Sequence, residues 1–422
     1  MSELGLNTYL YGPKDDLKHR THWRELYSKE EIGFLEKSIL QCQQANIDFG
    51  FALGPGLDIE YGSEEDLEAI KQRFKQFLER GVTLFALLLD DIPDAMTPRD
   101  QGRFRNFAEG HCHLANALQQ WITRDHPNGR LLFCPTPYCS RMAESGLGGD
   151  DYLETIGEQL APAIDVFWTG PEIISETISD AHLKSLSERI GRKPLLWDNL
   201  YANDYDLRRL FLGPYLKRPL EPANVLSGII LNPNCEFEAN WLPVTSLANY
   251  LKEPTQRVLL EAHEKAIINW LPSFESVGVP WSSQDVTTLV DVFYLPHLNG
   301  PWANQLHTLC QQAINAPLEQ REALQRQVQE RLSEIVGLFD KLTELKNRDL
   351  LHTFYRQWWD LREEVQLIAH YLQWRNHAAS SGKTSFKSPE HHRGTFRGGT
   401  VASIQSLLTM NHQGEVSPAN HD

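Results

Sequence analysis

Two adjacent carboxylates, Asp90 and Asp91, close the run Leu87-Leu88-Leu89-Asp90-Asp91-Ile92-Pro93. Two carboxylates thus end a strongly apolar run, and in barrel enzymes strand C-terminal ends are where catalytic groups sit. Adjacent strand residues point to opposite faces, so both can serve one pocket only if the strand twists or loosens there. The plainer alternative is an Asp helix cap beside a solvated loop acid, because turns favour Asp. Polar and aromatic side chains also end other apolar runs: Lys14-Asp15-Asp16, Tyr138, Trp197-Asp198-Asn199 with Asp204 just beyond, and Asn232-Pro233-Asn234. Each alone is a common turn or cap. Together they suit a sugar, with aromatic faces for the ring and amides and acids for its hydroxyls.

Other constellations fail on geometry or context. His111-Cys112-His113 looks metal-like, but residues two apart on a helix diverge by about 200°. Gly54-Pro55-Gly56 is a turn signal without the following Gly-Lys-Ser/Thr of a phosphate loop. His391-His392 sits in a segment expected to be disordered, and no Gly-X-Ser-X-Gly elbow exists for a serine hydrolase.

The elements that must position the acids alternate. Apolar runs at Leu6–Tyr11, Ile47–Leu53, Val82–Asp90, Arg130–Cys134, Asp165–Thr169, Pro194–Trp197 and Leu226–Leu231 are continuous rather than alternating, as in parallel strands buried on both faces. Amphipathic stretches lie between them. Ser28-Lys29-Glu30-Glu31 reads as a capping box and Ser63-Glu64-Glu65-Asp66 as its acidic version. This predicts an α/β fold, a (β/α)8-type TIM barrel over residues 1–250, in which catalytic groups sit at strand C-terminal ends. Seven strand units are countable where eight close a barrel, so the expectation is either that the first strand and helix are lacking or that the sheet is unusual. An all-α bundle follows over 251–377. Leu351, Phe354, Trp358, Leu361, Val365, Ile368 and Leu372 draw one helical seam, and Leu324, Val328, Leu332, Ile335, Phe339 and Leu342 a second. The 351–372 seam is expected to need more cover than the second stripe gives. Residues 378–422, rich in Ser, Gly and His, are expected to be disordered.

Composition narrows the function classes. Lys+Arg 40 against Asp+Glu 56 gives a net charge of −16, which disfavours nucleic acid and anionic membrane as partners. Six scattered cysteines lack paired or zinc-ligand spacing and read as reduced thiols in a cytoplasmic or nuclear compartment. No apolar run reaches membrane-spanning length and no signal-peptide pattern opens the chain.

The same segments resemble glycoside hydrolase family 84, the eukaryotic-type O-GlcNAcases. The matching stretches are Leu6-Asn-Thr-Tyr-Leu-Tyr-Gly-Pro-Lys14-Asp-Asp, Pro55-Gly-Leu-Asp-Ile59, Phe85-Ala-Leu-Leu-Leu-Asp90-Asp91-Ile, Leu132-Phe-Cys-Pro-Thr-Pro-Tyr138-Cys, Trp168-Thr-Gly-Pro171, Leu196-Trp-Asp-Asn199 through Asn203-Asp204-Tyr-Asp, and Leu231-Asn-Pro-Asn234-Cys-Glu-Phe-Glu-Ala-Asn240. Phe293-Tyr-Leu-Pro296, Trp359-Asp360 and Gln373-Trp374 resemble the family's helical stalk. Three departures stand out. The Glu-Gly-Phe-Tyr-Gly motif of the family's first strand has no counterpart, Pro137 and Tyr201 replace a usual Glu and His, and the acetyltransferase-like domain of animal members is absent.

The resemblance implies removal of β-O-linked N-acetylglucosamine from Ser/Thr of proteins, through an oxazoline formed by the substrate's own acetamide. Asp90 would polarise the acetamide N–H, and Asp91 would act as general acid and then base. Tyr138 would support the oxazoline and Trp197 wall the pocket, while Lys14, Asn199, Asp204 and Asn234 bind the sugar. It implies no metal and no organic cofactor, and a homodimer through the bundle, with Trp359 the candidate roof over the partner's pocket. Two competing readings are a catalytically impaired, truncated glycan-binding or scaffolding protein, and a conventional exo-hexosaminidase acting on free glycans.

Overall fold

All seven apolar runs become strands: β1 (Thr8–Tyr11), β2 (Asp48–Leu53), β3 (Leu84–Leu88), β4 (Arg130–Cys134), β5 (Asp165–Trp168), β6 (Leu195–Asp198) and β7 (Gly228–Leu231). They pair in parallel in the order β1-β2-β3-β4-β5-β6-β7, a nearly closed barrel with helices around it. The computed structural model describes residues 1–381, 385–388 and 394–419. Two compact units emerge: Met1–Asn199 with Lys217–Asn232, and Leu200–Leu216 with Pro233–Asp422. The division near 232 falls earlier than the boundary expected at 250, and the second unit also takes in the 200–216 segment.

In the barrel unit, helices supply the crossovers that parallel pairing requires. The helix Lys29–Gln44 opens on a full capping box: Ser28 Oγ accepts from the Glu31 N–H at 3.2 Å and Glu31 accepts from the Ser28 N–H at 2.7 Å. At Glu64–Leu78 only half the box forms. Ser63 Oγ accepts from the Asp66 N–H, while the Asp66 carboxylate accepts instead from the Glu60 N–H and Arg24.

Side chains sort by strand parity into two apolar layers. Phe51, Leu53, Phe85, Leu87, Leu131, Phe133, Val166, Trp168 and Leu196 join the layer that contains the helices. The alternate positions, Ala52, Leu84, Ala86, Leu88, Leu132, Cys134, Phe167 and Leu195, form a separate inner cluster, flanked by Leu10, Tyr138, Trp197 and Ile230. At one point this interior leaves no room for a side chain. A Cβ on Gly50 would come within 2.9 Å of Leu10 and 3.0 Å of Leu84. β3 is buried at every residue, whereas β1 has none buried and β7 is half-buried throughout, as strands ending a sheet must be.

The second unit is built on helices, chief among them Arg321–Thr343 and Arg348–Ser381. Val328, Leu332, Ile335 and Leu342 of the first pack into one core with Phe354, Trp358, Leu361, Val365, Ile368 and Leu372 of the second. The indole N–H of Trp358 donates to the Ile335 carbonyl at 2.8 Å. The 351–372 seam is therefore covered within its own chain, apart from a half-buried Leu351, and needs no partner to hide it.

The segment expected to be disordered from 378 is structured among its described residues. The sheet β8 (Phe386–Lys387), β9 (Leu408–Met410) and β10 (Glu415–Pro418) and the helix Gly399–Gln405 are present. Val401, Ile404, Leu407, Leu408 and Val416 join the unit's core. An average over forty-odd polar residues hid one short apolar face. His391-His392 lies outside the described residues.

Candidate active site

β3 delivers the acidic pair. Its hydrogen bonding to β4 runs one residue past Leu88, since the Leu89 N–H donates to the Cys134 carbonyl at 3.1 Å. The Leu89 carbonyl in turn accepts from the buried Thr136 hydroxyl at 2.6 Å. Regular structure stops there, and the chain bends at Asp90 and Asp91. Parity would carry Asp90 inward with Leu88 and send Asp91 the other way. The bend overrides parity: both carboxylates meet the Arg20 guanidinium, Asp90 Oδ2 at 3.2 Å from one terminal nitrogen and Asp91 Oδ2 on the other.

The two acids nonetheless differ. The Asp90 side chain is 24% exposed and that of Asp91 60%. Asp90 Oδ1 is shielded from solvent and has no hydrogen-bond partner among the described residues. A buried acceptor left unmet costs about 1–3 kcal/mol, more when charged, so this oxygen is suited to an incoming donor. Asp91 is open to solvent and can exchange a proton with a leaving group or a water.

Arg20 sits on the loop after β1, and that loop is pinned at many points. His19 Nδ1 bonds the Ala52 carbonyl at 2.8 Å. The buried Arg73 donates to the carbonyls of Lys18 and Trp23 and lies 4.4 Å from the Tyr27 ring. Trp23 donates to Asp58 at 2.6 Å, and Arg24 forks onto Asp66. Burial works against the Arg20 charge, but Asp90 and Asp91 more than offset it and raise its proton affinity. The loop after β2 closes the other side. Gly56 packs so near Asp91 that an added Cβ would stand 2.3 Å from the Asp91 carbonyl oxygen.

The remaining expected residues fall into several groups. Tyr138, half-buried beside the inner cluster, has its phenol proton affinity raised by burial first and the Asp90 charge second. Trp197 stands edge-on to Phe167 at 5.1 Å, and its indole N–H donates to Asn199 Oδ1 at 3.0 Å. Asn199 also accepts from Asn232 at 2.9 Å and donates to the Ile173 carbonyl at 2.8 Å. Its amide is thus a brace for the Trp197 ring. Lys14 is exposed in the loop after β1.

In the other unit Asp204 is exposed, and Asn234 is buried with its amide bonded to both the N–H and the carbonyl of Phe211. Trp359 is 42% exposed, with Phe339 edge-on at 5.4 Å and the Arg362 guanidinium 4.3 Å from its ring. It does not complete its own core. His111, set aside as a metal ligand, is fully buried and bonds the Tyr152 hydroxyl at 2.6 Å.

Sequence reasoning missed Arg20, the Thr136 hydroxyl, and the buried pair Asp198–Arg218, whose two bonds measure 2.6 and 2.8 Å. Asp198 lies within a quoted motif, but Arg218 stands twenty residues away with no local signal.

The sequence model of the beta-N-acetylglucosaminidase family matches residues 1–276. Over 297 residues the chain is 39% identical to Protein O-GlcNAcase of Rattus norvegicus and to that of Mus musculus, a stretch that covers 69% of this chain and 32% of each relative. The chain thus spans about a third of the length of these curated relatives. Among solved structures, a mutant of the Thermobaculum terrenum O-GlcNAc hydrolase aligns with a TM-score of 0.76 at 27% identity, covering 90% of this chain and 79% of that one.

Proposed function

Because this chain belongs to the beta-N-acetylglucosaminidase family, we propose that it removes β-O-linked N-acetylglucosamine from Ser/Thr of proteins with the substrate's acetamide as nucleophile. The observation that carries the reading is the acidic pair at the end of β3. Its two carboxylates converge on one guanidinium yet differ in access, Asp90 shielded with an unmet oxygen and Asp91 open.

In the first step the acetamide oxygen attacks the anomeric carbon while the bond to the Ser/Thr oxygen breaks. Asp90 Oδ1 accepts the acetamide N–H and sharpens that nucleophile, and Asp91 gives its proton to the leaving oxygen. In the second step the Asp91 carboxylate takes a proton from water, whose oxygen attacks the anomeric carbon and reopens the oxazoline with retention. Such substrate assistance needs no enzyme nucleophile and stands outside the two-carboxylate spacing rule. Tyr138 steadies the oxazoline and Trp197, held by Asn199, walls the sugar. Lys14, Asp204 and Asn234 are assigned to the sugar by family resemblance.

The protein acts in the cytoplasm or nucleus as a homodimer, with Trp359 reaching over the partner's pocket. No helix among the described residues is long and apolar enough to cross a membrane. Light scattering tests the dimer: Trp359→Ala should leave it dimeric, with weaker glycopeptide turnover and nearly normal aryl-glycoside turnover. A monomeric wild type defeats the roof.

The chemistry is tested by release of N-acetylglucosamine from a glycopeptide and from an activated aryl glycoside. Asp91→Asn should abolish the first and spare the second, while Asp90→Asn should harm both. Equal losses for both variants on both substrates would sink the assignment. A second reading, a glycan-binding protein without turnover, draws on the half-exposed strands β1 and β7. It predicts sugar binding with no release.

A further inference from the structure

Arg20 plays no part in the chemistry above, yet it touches both acids. Three observations bear on what it does. Its guanidinium uses one oxygen of each carboxylate, Oδ2 of Asp90 and Oδ2 of Asp91, on two different nitrogens of a planar, rigid fork. The Asp90 oxygen left over, Oδ1, is shielded and without a donor. The loop that carries Arg20 is fixed by buried or charged contacts on both flanks: His19 to Ala52, Arg73 to the Lys18 and Trp23 carbonyls, and Arg24 to Asp58 and Asp66. Backbone contacts add to this, with the Gly54 N–H donating to the His19 carbonyl at 2.9 Å. A surface arginine that merely neutralised two acids would need no such anchoring. An anchored fork instead sets the plane and rotation of the carboxylates it grips.

We propose that Arg20 is the positioning residue of the acid pair: by holding Asp90 through Oδ2 it presents Oδ1 to the N–H of a 2-acetamido sugar. The proposal deepens the hydrolase reading and rests on its assignment of Asp90. Arg20 itself does not touch the sugar; it acts through Asp90. It also grips Asp91 where the bend after Leu89 has brought it, so the general acid stands beside the acetamide-binding oxygen rather than across the sheet. Asp91 is held by the same fork but is the more exposed of the two acids, open to the leaving oxygen, whereas Asp90 is the more shielded.

The test compares wild type with Arg20→Gln and Arg20→Lys. Glutamine removes the charge and the fork. Lysine keeps the charge but can offer only a point donor. Arg20→Gln should lose about 10²-fold in kcat on the activated aryl glycoside, the cost of a misplaced reacting group, with KM changed less than about threefold. Arg20→Lys should recover only part of that loss. Because the aryl substrate does not need the general acid, this loss reports on the acetamide step. Melting curves of each variant separate a folding defect: activity that falls only in proportion to the folded fraction overturns the proposal, as does a KM rise with kcat intact.

Binding gives a readout that does not depend on turnover. By calorimetry, wild type should prefer N-acetylglucosamine to glucosamine, which lacks the acetamide, and Arg20→Gln should lose most of that preference. A preference retained in Arg20→Gln refutes the positioning role whatever the kinetics. A wild type that binds N-acetylglucosamine but releases none from either substrate refutes the hydrolase reading alone. A wild type that shows neither preference nor turnover refutes both.

Discussion

Gly56→Ala perturbs the candidate site by a single methyl group. The added Cβ would stand 2.3 Å from the Asp91 carbonyl oxygen and 3.3 Å from Ile92 Cγ2. Non-bonded contacts settle at about 3.5 Å, so the Asp91 backbone must retreat by roughly 1 Å. The obstacle is main chain, which cannot step aside as the end of a flexible side chain can. Overpacking of this kind costs about 1–3 kcal/mol, a fall of several degrees in Tm at most. Its effect on chemistry should be larger, since a displacement of about 1 Å can cost about 10²-fold in rate. The displaced group is Asp91, and under the proposed role of proton donor its loss matters most when the leaving oxygen is basic. The assay is kcat/KM on a glycopeptide and on an aryl glycoside with a good leaving group, beside a melting curve. The glycopeptide rate should fall about 10²-fold and the aryl rate by less than about tenfold. Full glycopeptide activity at an unchanged Tm would refute the reasoning, because the carbonyl contact would then have no hold on the acid. Equal losses on both substrates would also refute it, by placing the damage somewhere other than the proton donor.

Two further outcomes follow from the buried polar groups. His111 is held neutral, its proton affinity pushed down to about 3 by burial against an ordinary value near 6.5. The unfolded chain therefore takes up the proton first as pH falls. The stability tied to this group is fully present above pH 6.5 and is lost progressively toward pH 3. Between pH 6.5 and 5 the loss amounts to about 2 kcal/mol, and His111→Gln, which can still bond Tyr152, should remove that share of the pH dependence in urea titrations. Identical slopes for the two proteins would exclude His111 as the source. Asp198→Asn should destabilise the protein by about 3–5 kcal/mol, because it takes the carboxylate counter-charge from a fully buried Arg218 guanidinium. A denaturant midpoint within experimental error of wild type would show that the Ser175 and Glu176 carbonyls suffice to hold Arg218.

Much of the barrel was legible because its physics is local. A parallel strand between two layers is apolar at every position, so seven unbroken runs announced seven strands, and β4 matches its run residue for residue. The capping box at Ser28 was legible for the same reason, since both of its bonds lie within four residues. The acidic box at Ser63 was only half right because Asp66 found a longer-range partner in Arg24, which no local pattern shows. The 378–422 stretch failed in the opposite way. Its composition is polar on average, but Val401, Ile404, Leu407 and Leu408 recur at helical spacing and dock on a core that only the fold supplies.

The site divides along the same line. Asp90, Asp91, Tyr138 and Trp197 could be picked out because each closes an apolar run, and a barrel gathers strand ends at one rim. What sequence could not supply was the relation between neighbours. Strand parity puts Asp90 and Asp91 on opposite faces, and only the bend after Leu89 lets them share a partner. That bend has a cause: the ladder to β4 ends at the Cys134 carbonyl, and the Thr136 hydroxyl then takes the Leu89 carbonyl in place of another strand N–H. Arg20 was hidden by distance, seventy residues from Asp90 and outside every quoted motif. Its loop has meaning only once Arg73, two helical turns into Glu64–Leu78, is seen to hold the Lys18 and Trp23 carbonyls. The acids are therefore written at the strand end, whereas their geometry is set by a loop and a helix that share no motif with them. Variants at Thr136 or Arg73 should accordingly shift the chemistry of Asp90 and Asp91 although neither side chain faces a substrate.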